Sequence, residues 1–163
     1  MQRLYRVVLL TICGIVAIPT GSARLVAAER PNILWLTAED MSPTLGCWED
    51  AYATTPHIDR LAGQGVRYTR AFATAPVCSP ARSCLITGCY ATSLGTQRLR
   101  SSFPIPRRME GFPALLRAAG YYCTNNVKTD YNTSNEKAII KASWNDSSAT
   151  AHWRNREGDQ PFF

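Results

Sequence analysis

From residue 32 onward the chain alternates short apolar runs with amphipathic segments that stop at glycine. Asn32-Ile33-Leu34-Trp35-Leu36-Thr37-Ala38 is nearly continuously apolar, the pattern of a strand buried on both faces, and it runs straight into Glu39-Asp40. A loop rich in polar residues covers 41–54. Thr55-Pro56 then reads as the N-cap and first residue of a helix through Ile58, Leu61 and Ala62, ending at Gly63 or Gly65. Val66 to Phe72 predicts a second strand. Ser79 as cap and Pro80 at the first position open a second helix with Arg82, Leu85 and Ile86, stopped by Gly88. After a turn-rich stretch at 94–111, Phe112 to Gly120 predicts a third helix, and Tyr121 to Val127 a strand leading into Lys128. Residues 129–160 are polar and weakly patterned, and Pro161-Phe162-Phe163 starts another strand. Such alternation predicts an α/β fold, a sheet with helices on both faces.

The N-terminus follows a different rule. Arg3 and Arg6 precede the apolar run Val7 to Ile18, which Pro19, Gly21 and Ser22 interrupt before small residues. Val26-Ala27-Ala28 and Gly21-Ser22-Ala23 both supply a small-x-small cleavage site; with cleavage after Ala28, residues 1–28 read as an export signal and 30–163 as the folded part. The apolar run is short of the ~20 residues a bilayer span needs, which argues against a stable membrane anchor. The expected location is therefore periplasmic or secreted. With 163 residues there is room for one domain, and 45% apolar residues can build a core, which excludes a disordered chain. The formal net charge of +6 is halved by removal of Arg3, Arg6 and Arg24. No Lys/Arg stripe with interleaved aromatics remains, so nucleic acid is not an expected partner. Export permits disulfides, yet the cysteines left are Cys47, Cys78, Cys84, Cys89 and Cys123, an odd set in which one thiol should be free or otherwise engaged. Cys84 and Cys89 read as core or disulfide residues.

Two places carry candidate chemistry. Glu39 and Asp40 stand at the carboxyl end of the first predicted strand, where α/β sheets bind ligands. Adjacent carboxylates suit a hard cation such as calcium or magnesium, or else they are two solvated loop acids. The second place is Cys78-Ser79-Pro80-Ala81-Arg82, where a thiol just outside a helix N-terminus would be activated and Arg82 would reach back to an oxyanion. The plainer reading is a disulfide cysteine beside a surface arginine. Arg98, Arg100, Arg107 and Arg108 either contact an anionic ligand or belong to a solvated loop. His57 reads as a surface residue, and without a Cys-x-x-Cys pair a structural zinc is not expected. Asn132-Thr133-Ser134 and Asn145-Asp146-Ser147 are glycosylation sequons.

Cys78-Ser79-Pro80-Ala81-Arg82, continued by Ser83-Cys84-Leu85-Ile86-Thr87-Gly88, closely resembles the signature of the sulfatases, members of the alkaline phosphatase-like superfamily. Asn32 to Asp40 resembles the family's first strand and metal pair, Thr55 to Ala62 its first helix, and Gly120 to Lys128 its second signature. Within the family the chain looks most like the heparan N-sulfatase (sulfamidase) type. The resemblance implies an alkaline phosphatase-like, mostly parallel sheet flanked by helices, present here as an incomplete N-terminal part. It implies that a maturation enzyme oxidises Cys78 to formylglycine, whose hydrate attacks sulfur and forms a covalent sulfate intermediate. Arg82 would stabilise the hydrate and Lys128 would bind a sulfate oxygen. Glu39 and Asp40, with residue 78, would hold calcium as a Lewis acid. The substrate would be a sulfate ester or N-sulfate, on a small molecule or a glycan.

Three departures from the family pattern stand out. Glu39 occupies a position that is usually aspartate. Asp130 stands two residues after the lysine, at the substrate-binding position where a histidine is usual, and it cannot act as a cation toward sulfate; Asn132 is an unfavoured substitute for part of that hydrogen bonding. Family members are also much longer and supply further site residues downstream. The rival expectations are a non-catalytic remnant and a phosphate or phosphonate ester hydrolase of the same superfamily.

Overall fold

The computed structural model describes residues 30–163; the expected export signal at 1–28 lies outside them. Five α-helices are present among the described residues: α1 (Pro56–Gln64), α2 (Cys78–Thr87), α3 (Ala91–Leu94), α4 (Phe112–Ala118) and α5 (Glu136–Ser143). Two short strands, β1 (Thr124–Asn125) and β2 (Asp146–Ser147), pair in parallel with Thr124 opposite Asp146. The chain crosses from β1 to β2 through α5, since parallel neighbours need a crossover rather than a hairpin.

The sheet continues beyond β1 on its other side. Tyr122 and Phe162 form a parallel bridge, with Tyr122 N donating to Pro161 O at 2.8 Å and Phe163 N donating to Tyr122 O at 2.9 Å. Ile33 N then donates to Phe162 O at 2.8 Å, while Phe162 N donates to Asn32 Oδ1 at 3.1 Å. Residues 161–163 thus lie between the opening segment and β1, and successive side chains point to opposite faces. Phe163 packs with Phe112 at 5.2 Å, Trp144 at 5.9 Å and Trp35 at 6.1 Å between ring centres, whereas Phe162 stacks on Trp153 at 5.6 Å. The α/β architecture and the strand beginning at Pro161 agree with the sequence reading.

Two expected strands do not form. Residues 32–38 make one ladder bond, through Ile33, and Leu36 is 73% exposed rather than buried on both faces. Residues 66–72 pair with nothing among the described residues, and Phe72 is 86% exposed. An apolar run becomes a strand only where a neighbour completes its hydrogen bonds, and among the described residues Ile33 N alone finds such a partner. In the opposite sense, the weakly patterned 129–160 region contains α5, with Glu136 in its first turn, Lys141 in its last, and Ile139 buried.

The helix starts are closer to expectation. Thr55 is the N-cap of α1, but its hydroxyl donates to Asp59 Oδ1 at 2.9 Å and accepts from Gly46 N at 2.9 Å, so it ties the preceding turn to the helix. The α2 helix starts two residues before the predicted position, with Val77 as N-cap, and Gly88 ends it at a φ of 69°. Glycine takes that left-handed conformation without steric penalty.

The core gathers Ile86 of α2, Leu94 of α3, Ile105, Tyr131 and Ile139 of α5, with Met109, Ile140 and Trp144 packed around them. All five described cysteines are free thiols, and of the two readings offered for Cys84 and Cys89 the core one holds: Cys84 is buried and Cys89 packs against the core. Cys123 is fully buried and its thiol, desolvated, is pushed up to about 11 despite Arg117 nearby. No helix among the described residues is long and apolar enough to cross a membrane.

A polar clasp joins the loop after β1 to the turn-rich stretch. Asn132, 4% exposed, donates to Thr96 O at 2.6 Å and Arg98 O at 2.7 Å and accepts from Ser101 N at 2.7 Å. Thr133 Oγ1 donates to Phe103 O at 2.8 Å, and Asn135 Nδ2 donates to Ile105 O at 3.0 Å. Replacing Asn132 by alanine orphans three backbone groups and should lower stability by about 2–4 kcal/mol. Urea unfolding with an earlier midpoint and unchanged slope is the expected outcome; an unmoved midpoint would refute the clasp.

Candidate active site

The site forms where the start of α2 meets the loop leaving β1. Arg82, one turn into α2, donates from Nε to Thr129 O at 2.6 Å and from Nη2 to Lys128 O. Those bonds fix the loop against the helix end that carries Cys78. Asp130 then faces that helix: Ser79 Oγ donates to Asp130 Oδ1 at 3.0 Å, and Cys78 Sγ points to Asp130 Oδ2 at 3.7 Å. Lys128 Nζ forms an ion pair with Glu39 Oε1 across the mouth of the site.

Five of the six residues singled out in the sequence therefore converge: Cys78, Arg82, Lys128, Asp130 and Glu39. Asp40 sits beside Glu39, exposed, at a φ of 53°. Cys78 is the first residue of α2 rather than a residue outside it, because Val77 is the cap. Ser79 is no cap; its hydroxyl serves Asp130 instead. Arg82 does not reach an oxyanion directly, since two of its guanidinium nitrogens are committed to backbone carbonyls. Asn132 does not enter the site either, its amide being fully occupied by the clasp. His57 contacts Arg60 on α1, and His152 accepts from Arg154 N at 3.0 Å, both away from Cys78. Ser79 was the site residue sequence reasoning missed, because the cap pattern Ser-Pro already accounted for it.

The lysine is held as a cation. Its pKa lies above the ordinary 10.5, chiefly through the hydrogen bond to Glu39, with desolvation opposing and the charges of Cys78, Glu39 and Asp130 adding to the rise. The oxygens of Glu39 and Asp40 fit a hard cation in kind, but among the described residues no three His, Cys, Asp or Glu side chains converge as a metal cluster. They make one edge of a coordination shell.

Behind the site, a cavity of ≈ 340 Å³ lies between α2 and the sheet, lined by Arg82, Leu85, Trp35, Asn125, Trp144 and Trp153 among others.

The Sulfatase family profile matches residues 31–160. An ulvan-active sulfatase of Formosa agariphila is 44% identical over 154 residues, covering 87% of this chain and 25% of the relative. An N-acetylgalactosamine-6-O-sulfatase of Bacteroides thetaiotaomicron is 45% identical over 64 residues, 39% of this chain and 12% of that protein. Among solved structures, a protein in complex with its substrate D-glucosamine-2-N,6-O-disulfate superposes with a TM-score of 0.56 at 29% identity, over 61% of this chain and 20% of that one. The phosphonate monoester hydrolase of Agrobacterium radiobacter gives a TM-score of 0.59 at 29% identity, over 73% and 25%. The chain spans about a quarter of the length of the ulvan-active relative. These relatives do not single out the heparan N-sulfatase type.

Two outcomes follow from the geometry. Arg82→Ala should raise amide exchange at Tyr131, whose N donates to Glu136 Oε1 at 2.9 Å at the end of the loop, about tenfold or more, the effect of losing charged hydrogen bonds of about 1.5–3 kcal/mol, and Arg82→Lys, lacking the fork, should restore only part. Unchanged exchange would remove Arg82 from its positioning role. Because the folded pKa of Lys128 is raised, its pairing energy is fully present below 10.5 and is lost as pH climbs through the raised value. NMR titration of the Lys128 side chain should therefore give a midpoint above 10.5 that falls in Glu39→Gln; equal midpoints in the two proteins would refute the pairing.

Proposed function

The chain belongs to the sulfatase family, and from that premise we propose that it is the N-terminal part of the catalytic unit of an exported hydrolase of sulfate esters or N-sulfates on glycans. The observation that carries this reading is the pair of Arg82 hydrogen bonds, which unites Cys78 at the start of α2 with Lys128 on a separate loop. The relatives are named for ulvan and for the 6-O-sulfate of N-acetylgalactosamine, which supports a glycan substrate.

In this reading Cys78 is the position converted to formylglycine, which when formed supplies an oxygen nucleophile for sulfur. Calcium, when bound, would be held by Glu39, Asp40 and residue 78 and would supply Lewis acidity at a sulfate oxygen. The protein's own groups do the rest. Lys128, cationic throughout the physiological range, exchanges its carboxylate partner Glu39 for a sulfate oxygen and so binds the anion at the mouth of the site. Arg82 holds Lys128 and Thr129 in register with the helix start. Asp130 is an acceptor for the groups at 78 and 79 and so fixes the orientation of residue 78; an anion itself, it is a poor ligand for sulfate, unlike the cation usual at this position. The maturation enzyme that makes formylglycine is the one protein partner this reading requires. The likeness to the phosphonate monoester hydrolase keeps phosphorus esters as the second substrate class to assay.

Production with a maturation enzyme should leave the peptide Ala71 to Arg82 lighter by the difference between CH2SH and CHO at Cys78. Cys78→Ala should show neither that change nor any hydrolysis of an aryl sulfate. An intact thiol in the wild-type peptide would overturn the mechanism, and turnover of a phosphonate ester in preference to the sulfate would reassign the substrate.

A further inference from the structure

Both elements that build the site are buckled to one loop, residues 96–101. From α2, the hydroxyl of Ser83 meets that of Thr96 at 2.8 Å, both residues being fully buried. From the Lys128 loop, Asn132 bonds to Thr96 O, Arg98 O and Ser101 N. Ser101 N also donates to Arg98 O at 3.2 Å, and Ser101 Oγ to Gly95 O at 3.2 Å, which closes a tight turn. The base of that turn is equally constrained: Gly95 has a φ of 73°, and a Cβ there would meet Phe103 at 2.8 Å.

Two arginines stand on this rigid turn. Arg98 and Arg100 are exposed, and among the described residues neither guanidinium has a hydrogen-bond or carboxylate partner, the only ion pair being Lys128–Glu39. Arg100 adopts a φ of 55°. A non-glycine side chain is held in that conformation, at a cost of about 1–3 kcal/mol, only when its surroundings enforce it, and such residues gather at functional sites. Asn132 is two residues from Asp130, at most about 8 Å of Cα path, and its amide ties the turn to the loop that carries Lys128 and Asp130.

We propose that Arg98 and Arg100 form a second anion subsite, which takes a sulfate or carboxylate adjacent to the reacting sulfate on a polyanionic sugar. The inference rests on the sulfate-ester reading above and adds the substrate class: a saccharide with at least two negative groups. Guanidinium forks suit such groups because each presents paired N–H donors to paired oxygens. A rigid backbone keeps the ordering cost of binding low. Arg107 and Arg108 carry the same charge beyond the Ile105 anchor and serve as an internal comparison.

The test is calorimetric binding of glucosamine 2-N,6-O-disulfate and glucosamine 6-O-monosulfate to the full chain. Arg98→Ala/Arg100→Ala should weaken the disulfate about tenfold, the loss of one or two charged hydrogen bonds, and leave the monosulfate within about twofold. Arg107→Ala/Arg108→Ala should leave both unchanged. Equal losses for the two sugars, equal losses in the comparison variant, or a chain that binds neither sugar would each overturn the subsite. Lys128→Ala separates the two readings: if it leaves monosulfate binding intact while the Arg98/Arg100 variant abolishes the disulfate preference, the subsite stands and the assignment of the Lys128 centre falls.

Discussion

Arg82 is the constraint on which the site depends. A β-strand ending and a helix beginning have no intrinsic reason to hold a fixed distance, and here the guanidinium of one bridges to two consecutive carbonyls of the other. Charged donors make strong hydrogen bonds to backbone oxygen, of about 1.5–3 kcal/mol each, and the planar fork fixes direction as well as distance. Every other contact at the site follows from that registration. Asp130 can accept from Ser79 and face Cys78 because residues 128 and 129 are already in place, and Lys128 can span to Glu39 for the same reason. An arginine in a signature motif invites the reading that it touches the reacting anion, but in this structure it acts through the backbone.

The second buttress is polar and buried. Asn132 and Thr133 sit among Tyr131 and Ile105 with their side-chain groups satisfied by backbone of the 96–105 stretch. A buried amide with all partners in place specifies one geometry, whereas an apolar contact would tolerate sliding. That difference matters for a loop whose carboxylate and ammonium must meet groups from α2 and from residue 39. The aromatic packing around Phe163 gives the complementary, less directional support to the sheet.

The legibility of each part in the sequence depended on where its determinants lie. Helices α1, α2 and α4 were readable because Pro at the start and Gly at the end act locally, and only the register of α2 moved. The α5 helix was missed: its apolar pair Ile139-Ile140 is short, and its start, at Asn135, uses no side-chain cap bond. Strands were legible as apolar runs and illegible as strands, since pairing is decided elsewhere in the chain. Residues 32–38 and 66–72 show this, with Leu36 and Phe72 exposed where partners would cover them. The candidate site residues were legible through a signature of spaced residues. The roles of Asn132 and Ser79 were not, because hydroxyl and amide groups acquire meaning only from the backbone they meet.

The placement of Glu39 shows how one departure from a family pattern is accommodated. Glutamate is longer than aspartate by one methylene, and that length lets its carboxylate reach Lys128 from the opening segment. Asp130, in turn, brings a negative charge where a cation is usual, so the site has three carboxylates, at 39, 40 and 130, against Lys128 and the partly committed Arg82. An excess of negative charge opposes an entering anion unless further positive charge is near, since like charges in a shared cleft repel over about a Debye length of 8–10 Å. Arg98 and Arg100 stand on a turn that Thr96 and Asn132 tie to both sides of the site, and neither has a carboxylate partner of its own among the described residues. The excess of negative charge at the centre and the unpaired positive charge of the turn are thus carried on segments joined by the Ser83–Thr96 and Asn132 hydrogen bonds.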